Sequence, residues 1–554
     1  MKDGRKIVFI LFFFSLLLRV AWWNKFPPGF TADEATMGYD AYSLLKTGKD
    51  QFGTSWPLAF RSFGDYRPPL YIYASMPFVA IFGLTPLAVR LPSMIAGSLE
   101  IVLIYLVVKE IFSRGTGLFS AILLMLSPWS ILQTRFAQEV NLSTLTIFAG
   151  ITGFIFWIRK KKWKYIVYSA LFFGLSFYSY HNARLTTPLI LLGCLVTIKS
   201  VKKVPGRQVT VAVIIGILTV LPLMVWMKNN PQTMFRRASS QSVLADQGIK
   251  GSLWKDIVSM PPGYPVWLSR LQHNKPLYYG RVILKGYLLH FDPRFLFFSG
   301  DPHERFRTPY SGVLNWTMLL FLPIGLVMAV SRCFRGANSF VFRLIVWWLL
   351  ISPVVASLST IVPNSQHAQD LMIPLHIIGG IGAAWLIERI AVLRKPLALS
   401  LFFVLCFLFL VSSFLFLYGY TRVIPVQTKY LQAWHYYGNL FEKLRPFYQD
   451  KIVFLGGQYY INLAFYLKVD PRTFQQGVKI SQPDNLAEFD HVESFGKFTF
   501  TRNRDIPRNA DINIVYIRLN EPGEVLPEDA EVVDREVWPD GNREYIIFRY
   551  NGEL

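Results

Sequence analysis

Long runs of apolar residues recur along the chain from Ile7 to Tyr420, separated by short polar stretches. A run of about 20 apolar residues can cross the hydrocarbon core of a bilayer as a helix. The pattern therefore predicts a polytopic α-helical membrane protein with about eleven transmembrane helices. The predicted spans are residues 7–23, 85–108, 116–132, 141–158, 165–180, 186–198, 209–227, 313–330, 341–358, 371–392 and 399–420.

The loops between these spans predict an orientation. With the N-terminus placed in the cytoplasm, every inner connection is basic, as cytoplasmic retention of Lys and Arg requires. Arg19, near the end of the first span, is expected to snorkel to the interface. The basic inner connections are those at Lys109–Arg114, Arg159–Lys164, Lys199–Arg207, Arg332–Arg343 and Arg389–Lys395.

Three segments then lie outside the membrane. Within a membrane domain of residues 1–420, these are a first outer loop at 24–84 and a long outer loop at 228–312. The run Leu70–Phe82 in the first loop is too short to span, so an amphipathic interfacial helix is expected. The third segment, the tail 421–554, is predicted to be a soluble α/β domain. Its signals are strands at 451–457 and 512–517, a helix at 459–469 and a hairpin around Pro539-Asp540-Gly541-Asn542.

Composition agrees with a membrane protein. Hydrophobic residues make up 52% of the chain and charged residues only 17%, below the quarter or so typical of soluble proteins. The net charge of +22 comes from cations clustered between apolar runs, which indicates topology and excludes nucleic acid as the partner. The three cysteines, Cys194, Cys333 and Cys406, have no metal-ligand spacing, and disulfides are not expected.

Two adjacent acids, Asp33 and Glu34, follow the first span. One interpretation is structural, because acidic residues at a helix start offset the helix dipole. The other is catalytic: a carboxylate beside an acceptor hydroxyl can take its proton as a bond forms. Glu34 could then orient Asp33, raise the pKa of Asp33 by repulsion, or help to hold a divalent cation.

A cation follows about thirty residues later, in Tyr66-Arg67-Pro68-Pro69. Proline restricts the residue before it to an extended backbone, which stiffens the segment that carries Arg67. A guanidinium matches a phosphate in bidentate fashion, so Arg67, with Tyr66 beside it, is a candidate for binding a donor phosphate. The alternative is an interfacial arginine that contacts ordinary lipid phosphates.

Further charged residues lie at the predicted outer ends of spans. Arg135 and Glu139 are spaced for an ion pair within one helix, or they line a cavity, since charge at membrane depth tends to mark a site. Arg90 is either a snorkelling arginine or part of the cavity lining. The long loop adds Arg305 and Arg307 as candidate anion ligands, with a dedicated metal site less favoured there. Two histidines, His303 and His367, complete the candidate cavity lining.

These segments resemble the GT-C membrane glycosyltransferases, specifically the bacterial branch of glycosyltransferase family 39, which includes protein mannosyltransferases and the lipid A aminoarabinose transferase. Asp33-Glu34 resembles the acidic pair of the family, and Arg67-Pro68-Pro69-Leu70-Tyr71 is similar to its Lys-Pro-Pro-Leu-Tyr segment. Phe306 stands where histidine often follows Arg305. The other resembling stretches are Arg90-Leu91-Pro92-Ser93, Arg135-Phe136-Ala137-Gln138-Glu139 and Phe295–Asp301 with Arg305.

The resemblance implies transfer of a sugar from a polyprenyl-phosphate-linked donor to an extracytoplasmic protein, lipid or cell-envelope glycan. Inversion at the sugar and a base role for Asp33 are expected, and a divalent metal is left open. The sequence contains no P-loop, no Gly-x-Gly-x-x-Gly after a strand and no Asp-x-Asp motif, so a nucleotide-sugar donor is not expected. The alternatives are a glycolipid transporter or flippase, a ligase using a diphosphate-linked glycan, and a non-enzymatic assembly protein.

Overall fold

A computed structural model gives the structure of the chain. It describes residues 2–199, 204–231, 242–245, 247–261, 263–272, 274–335, 338–393, 395–431, 437–457, 459–481, 490–505, 513–521, 523–538 and 542–550. The described residues fall into two compact units. The first contains Met1–Ala21 and Ser93–Tyr420, and the second contains Trp22–Pro92 and Thr421–Leu554.

The first unit is helical, and every predicted span overlaps a helix, with the span 116–132 falling on two. Among the described residues, 6 helices are long and apolar enough to cross a membrane, or up to 7 when a pair bent by 55° is taken as one span. The bent pair is Arg114–Met125 with Pro128–Thr134, and Pro128 stands in the first turn of its second helix. The predicted polytopic α-helical membrane protein is confirmed, although fewer of its described helices than the predicted eleven are long and apolar enough to span.

The helices are labelled in chain order. Those of the first unit are α1 Lys2–Val20, α4 Pro86–Ile111 (whose first turns belong to the second unit), α5 Arg114–Met125, α6 Pro128–Thr134, α7 Glu139–Lys160, α8 Trp163–Ser176, α9 Ala183–Lys199, α10 Gly206–Asn229, α11 Gln247–Val258, α12 Val266–Gln272, α13 Lys275–Leu289, α14 Met318–Cys333, α15 Ser339–Ala356, α16 Met372–Ile390 and α17 Lys395–Tyr418.

Glycines set the closest helix approach in this unit. A Cβ added at Gly325 of α14 would lie 1.9 Å from the Ile378 carbonyl oxygen, and one at Gly382 of α16 would lie 1.9 Å from the Phe321 carbonyl oxygen. Helices in membranes associate through such small residues, because close backbone contact replaces the hydrophobic effect that operates in water.

The expectation that Arg19 snorkels is wrong. Its side chain is fully buried, and its guanidinium donates to the hydroxyls of Ser15, Ser130 and Thr134 at 2.6, 2.6 and 2.9 Å. Hydroxyl partners supplied by neighbouring helices satisfy the donors inside the bundle, so the side chain does not need to reach water.

The second unit is built on a mixed sheet with the strand order β4-β5-β6-β3-β7-β9-β8. β3 runs parallel to β6 and to β7, and the other neighbours are antiparallel. Its strands are β3 Lys451–Leu455, β4 Lys479–Ser481, β5 His491–Phe495, β6 Phe498–Thr501, β7 Ile514–Asn520, β8 Ala530–Val537 and β9 Glu544–Tyr550, and its helices are α18 Ile424–Leu431, α19 Tyr437–Lys443, α20 Tyr460–Tyr466 and α21 Pro471–Gly477.

Several predictions for the tail are confirmed. β3, α20 and β7 lie where strand, helix and strand were expected, and β8 pairs with β9 as the two arms of a hairpin. The turn residues 539–541 lie outside the described residues. β4, β5 and β6 were not predicted, because these short strands carry weak alternation and obtain their hydrogen bonds from neighbours distant in sequence.

The first outer loop belongs to this second unit. It contains helix α2 Ala32–Thr47, a hairpin of β1 Phe60–Ser62 and β2 Asp65–Arg67, and helix α3 Leu70–Phe82. α2 packs on α20: a Cβ at Gly38 would lie 2.7 Å from the Phe465 ring, and the Tyr39 hydroxyl donates to the Val469 carbonyl at 3.1 Å. α3 forms where predicted but is apolar all round rather than amphipathic, with Ile81 and Phe82 exposed.

Candidate active site

The site begins at the N-terminus of α2, where a capping box fixes the backbone. The Thr31 hydroxyl accepts from the Glu34 N–H at 3.2 Å, and the Glu34 carboxylate accepts from the Thr31 N–H at 3.0 Å. Such a reciprocal pair satisfies two donors that a helix start otherwise leaves free. The sequence interpretation of a helix start is confirmed, and Asp33 is held in the first turn.

Glu34 is buried in a second interaction. Its carboxylate oxygens accept from the Arg90 guanidinium at 2.8 and 3.1 Å, and both side chains are only 2% exposed. Arg90 also donates to the Gly29 carbonyl at 2.6 Å. This bidentate pair ties the start of α2 to the start of α4 and to the chain that enters α2. Glu34 therefore faces the protein interior, with no access to solvent.

Asp33 points the other way. Its side chain is 44% exposed, and one carboxylate oxygen accepts from the guanidinium of Arg67, whose side chain is 13% exposed. The two residues that the sequence singled out, thirty-four positions apart, thus form a direct ion pair within the second unit. A solvent-accessible carboxylate beside a cation is an arrangement that can exchange a proton with an incoming hydroxyl.

The hairpin that carries Arg67 is rigid. Phe63 and Gly64 both have positive φ, 52° and 84°, which matches the two-residue turn preferred between antiparallel strands. The adjacent Arg61 pairs with Asp490 of the sheet domain at 2.6 Å, so the hairpin is fixed to that domain. Tyr66 lies half-buried on β2, opposite Arg61 in the ladder. Arg67 is the last residue of β2, in the extended backbone that the following proline predicts.

Sequence reasoning missed a buried acidic pair behind the ion pair. Asp40 is fully buried and accepts from the Gln51 backbone and side-chain amides at 3.0 and 3.2 Å. Burial and the nearby charge of Asp50 raise the pKa of Asp40 well above its usual range, while the Gln51 hydrogen bonds and the Arg67 charge oppose the shift. The spacing of seven residues places Asp40 on the same helix face as Asp33, but it does not indicate that Asp40 is buried.

Arg135 and Glu139 lie in the first unit, and they do not share a helix. Arg135 follows α6, whereas Glu139 is the first residue of α7. The interpretation of an intrahelical pair is therefore wrong, because the chain breaks the helix between them. The Arg135 guanidinium donates to the Ala21 and Leu18 carbonyls, the latter at 3.4 Å, at the end of α1. It also lies 5.5 Å from the centre of the Tyr420 ring.

The long-loop candidates lie around Asp301, also in the first unit. Asp301 accepts from the His303 N–H at 2.7 Å and from the Ser365 N–H and hydroxyl at 2.6 Å each. Burial raises the pKa of the Asp301 carboxyl, and the hydrogen bonds from Ser365 oppose the shift. The His303 ring accepts from the Arg305 N–H at 3.2 Å, and Arg307 is exposed. Asp301 therefore fixes the backbone of the segment that carries Arg305 and Arg307.

His367 lies in the turn before α16. Its N–H donates to the Asn364 side chain at 2.9 Å, and its ring lies 6.4 Å from that of Tyr180. The first contact is made by the backbone of His367, so it fixes the turn and leaves the predicted role of the ring in lining a cavity untested. For metals, the described ranges contain no group of three or more His, Cys, Asp or Glu side chains placed to share an ion.

Comparisons with known proteins bear on this geometry. The family model described as dolichyl-phosphate-mannose-protein mannosyltransferase matches residues 66–226. The structure of ArnT from Cupriavidus metallidurans bound to undecaprenyl phosphate matches with a TM-score of 0.52 and 11% identity, over 98% of this chain and 97% of that chain. The fold is that of the GT-C membrane glycosyltransferases. The resemblance predicted from the sequence is thereby confirmed.

A second solved structure, the apo oligosaccharyltransferase of Archaeoglobus fulgidus, matches with a TM-score of 0.47 and 12% identity, over 84% of this chain and 63% of that chain. A comparison with curated protein sequences finds no match. The family match begins at Tyr66, so it includes Arg67, Arg90 and Arg135 but not Asp33 or Glu34. Asp33 and Glu34 are therefore supported as site residues by the geometry of α2 and not by the family match.

Proposed function

We propose that this chain transfers a sugar, a hexose or a pentose, from a polyprenyl-phosphate-linked donor to an acceptor on the extracytoplasmic side of the membrane. The membrane-spanning GT-C fold supports a lipid-linked donor, and the similar ArnT structure binds undecaprenyl phosphate. The matching family is described by a lipid-phosphate-linked mannose donor and a protein acceptor. The observation that carries the proposal is the pairing of Asp33 with Arg67 at a fixed helix start.

Asp33 is the proposed general base. Its carboxylate is exposed enough to meet an acceptor, while the backbone that carries it is fixed by the capping box. The acceptor oxygen or nitrogen forms a bond to the anomeric carbon as its proton moves to Asp33. The bond from the anomeric carbon to the phosphate oxygen breaks on the opposite face, which inverts the configuration. The acceptor thus gains the sugar, the lipid phosphate leaves as an anion, and Asp33 holds the proton until water removes it.

Arg67 is the proposed ligand of the departing phosphate, with Tyr66 beside it. A guanidinium has five N–H donors in a fixed fork, so it can hold Asp33 with one edge and a phosphate with another. Stabilisation of developing charge by fixed donors is usually the largest single contribution to catalysis. Losing such a donor costs a rate factor on the order of 100–1,000.

Glu34 and Arg90 have a different proposed role. The sequence placed Glu34 with the catalytic acids and Arg90 in a cavity wall, but their mutual burial supports positioning of Asp33 instead. The roles of Arg305 and Arg307 in phosphate binding, and of Arg135, Glu139, His303 and His367 in lining a cavity, stay predictions.

The test is transfer by the purified full chain in proteoliposomes, with polyprenyl-phosphate-linked hexoses and pentoses as donors and envelope extracts as acceptors. Asp33→Asn should fold and insert but lose transfer, and Arg67→Gln should lose about a hundredfold in rate. The matched control is Glu442→Gln, which breaks an exposed carboxylate–arginine pair with Arg445 in the same unit and should leave the rate unchanged.

Three outcomes would contradict the proposal. Normal turnover by Asp33→Asn would remove the base. Flipping of a labelled glycolipid in liposomes that lack acceptor, unaffected by Asp33→Asn, would favour the transporter alternative. Activity only with diphosphate-linked glycans would favour a ligase. A screen of monophosphate-linked and diphosphate-linked donors against one acceptor extract distinguishes a ligase from the other two outcomes.

A further inference from the structure

A groove of about 1240 Å³ lies in the first unit between α1 and α4. The two helices touch at one level, where the Ser15 hydroxyl donates to that of Ser98 at 3.2 Å. Towards the N-terminus of α1 they separate, and the helices next approach where a Cβ at Gly4 would lie 3.6 Å from the Lys109 ammonium nitrogen. The volume exceeds the roughly 300–1,000 Å³ of ordinary small-molecule pockets, so the groove can take a long occupant.

The wall of the groove is apolar along its length. Phe9 is 69% exposed and Leu99 is 37% exposed, and both line the space together with Val8, Phe12, Val102 and Leu106. All of these side chains come from two helices that lie in the predicted spans, so the occupant of the groove is in contact with the hydrocarbon of the bilayer. An extended hydrocarbon chain matches such a wall, because it buries apolar surface without needing polar partners.

One end of the groove is basic. The lining contains four cations and no acid: Arg5, Lys109, Arg114 and Lys160. Lys160 is partly neutralised, since its ammonium lies 3.2 Å from the Glu110 carboxylate just outside the lining. The other three come from α1, from the end of α4 and from the start of α5. A cluster of cations at the membrane boundary attracts anionic head groups, each cation adding to the attraction.

We propose that this groove binds an anionic phospholipid, with an acyl chain along the α1–α4 wall and the phosphate head group among Arg5, Lys109 and Arg114. The charge pattern selects the occupant, because a zwitterionic lipid would leave the excess positive charge unbalanced. The length of apolar wall argues against a soluble anion, which would leave that wall unused. Under the predicted orientation the head group lies at the cytoplasmic face. The groove is therefore distinct from the proposed extracytoplasmic catalytic site, and it binds a lipid from the inner leaflet.

Native mass spectrometry of the detergent-purified full chain, titrated separately with phosphatidylglycerol and phosphatidylethanolamine, tests the proposal. The wild type should bind one phosphatidylglycerol at least tenfold more tightly than phosphatidylethanolamine. Lys109→Gln with Arg114→Gln should weaken phosphatidylglycerol binding by about thirtyfold, from two cations near the head group. Leu99→Trp fills the groove without changing charge and should weaken binding by about tenfold or more.

The matched control is Lys162→Gln with Lys164→Gln. These exposed cations lie in the next basic connection on the same predicted side of the membrane, but they do not line the groove, and their loss should leave binding within twofold. Equal loss in the control pair would overturn the proposal in favour of diffuse surface charge. Retained affinity in Leu99→Trp would also overturn it, because the head group would then bind without the groove. Equal affinity of the wild type for phosphatidylglycerol and phosphatidylethanolamine would show that the cations do not select an anionic lipid, which would also overturn the proposal. Should Leu99→Trp fail to purify as a single species, Val102→Phe provides the second filling variant.

Discussion

Glu34→Gln is the substitution that most directly tests how the site is held. Glutamine keeps the size and the acceptor oxygen but removes the charge that balances Arg90. Both side chains are 2% exposed, so the guanidinium would be left as a buried charge without its counter-ion. Removing one partner of a buried ion pair typically costs about 3–5 kcal/mol. Since glutamine can still close the capping box through the Thr31 N–H, the loss is expected to come from the broken ion pair and to fall within that range.

The assay is thermal unfolding of the purified chain at pH 7, followed by tryptophan fluorescence. For a unit of about 200 residues, a loss of this size corresponds to a melting point lower by roughly 6–20 °C. Transfer should be measured below that temperature. There kcat should fall, because the first turn that carries Asp33 loses its tie to α4, while the carboxylate of Asp33 itself is unchanged.

Two controls make the result interpretable. The double variant Glu34→Gln with Arg90→Gln removes both charges, and it should recover part of the lost stability because no charge remains buried alone. Glu442→Gln breaks an exposed pair and should change the melting point by little, as surface pairs do. A melting point for Glu34→Gln close to that of the wild type would refute the reasoning, as would a double variant less stable than the sum of its single changes.

Three further outcomes are expected. Burial lowers the pKa of His290 to about 4, so the contribution of the neutral ring to stability is full above about pH 6.5 and is lost as the pH falls through 4. His290→Asn should therefore flatten the melting-point profile between these two pH values. A profile identical to that of the wild type would contradict this expectation. Burial raises the pKa of Asp40, so the contribution of the protonated carboxyl to stability is full at low pH and is lost as the pH rises. Asp40→Asn should therefore gain stability relative to the wild type between pH 4 and pH 8. A difference in melting point that stays constant with pH would contradict this expectation. A Cβ at Gly64, where φ is +84°, would lie 2.6 Å from the Asp490 carboxylate. Gly64→Ala should therefore lower the stability by about 1–2 kcal/mol from the backbone alone and raise the KM for the donor. Wild-type kinetics in this variant would show that the hairpin does not position Arg67.

The sequence by itself predicted the helical membrane architecture and singled out both residues of the Asp33–Arg67 ion pair. Apolar runs of spanning length occur in few other contexts, so each predicted span overlapped a helix or, at 116–132, a bent pair of helices. Asp33 stood out as a carboxylate that could take a proton from an acceptor hydroxyl, and Arg67 as a guanidinium in a segment stiffened by proline. The helix start at Thr31 was also readable, since capping depends on residues three apart in sequence.

Only the tertiary structure divided the acidic pair into an exposed Asp33 and a buried Glu34. Neighbours in sequence point to different sides of a helix, and which side meets Arg67 and which meets Arg90 depends on packing between segments far apart in the chain. The same holds for Asp40, whose burial comes from Gln51 and the surrounding fold, and for the attachment of the first outer loop to the sheet domain through Arg61 and Asp490. Such contacts leave no periodic trace in the sequence, because they join single residues rather than repeating positions.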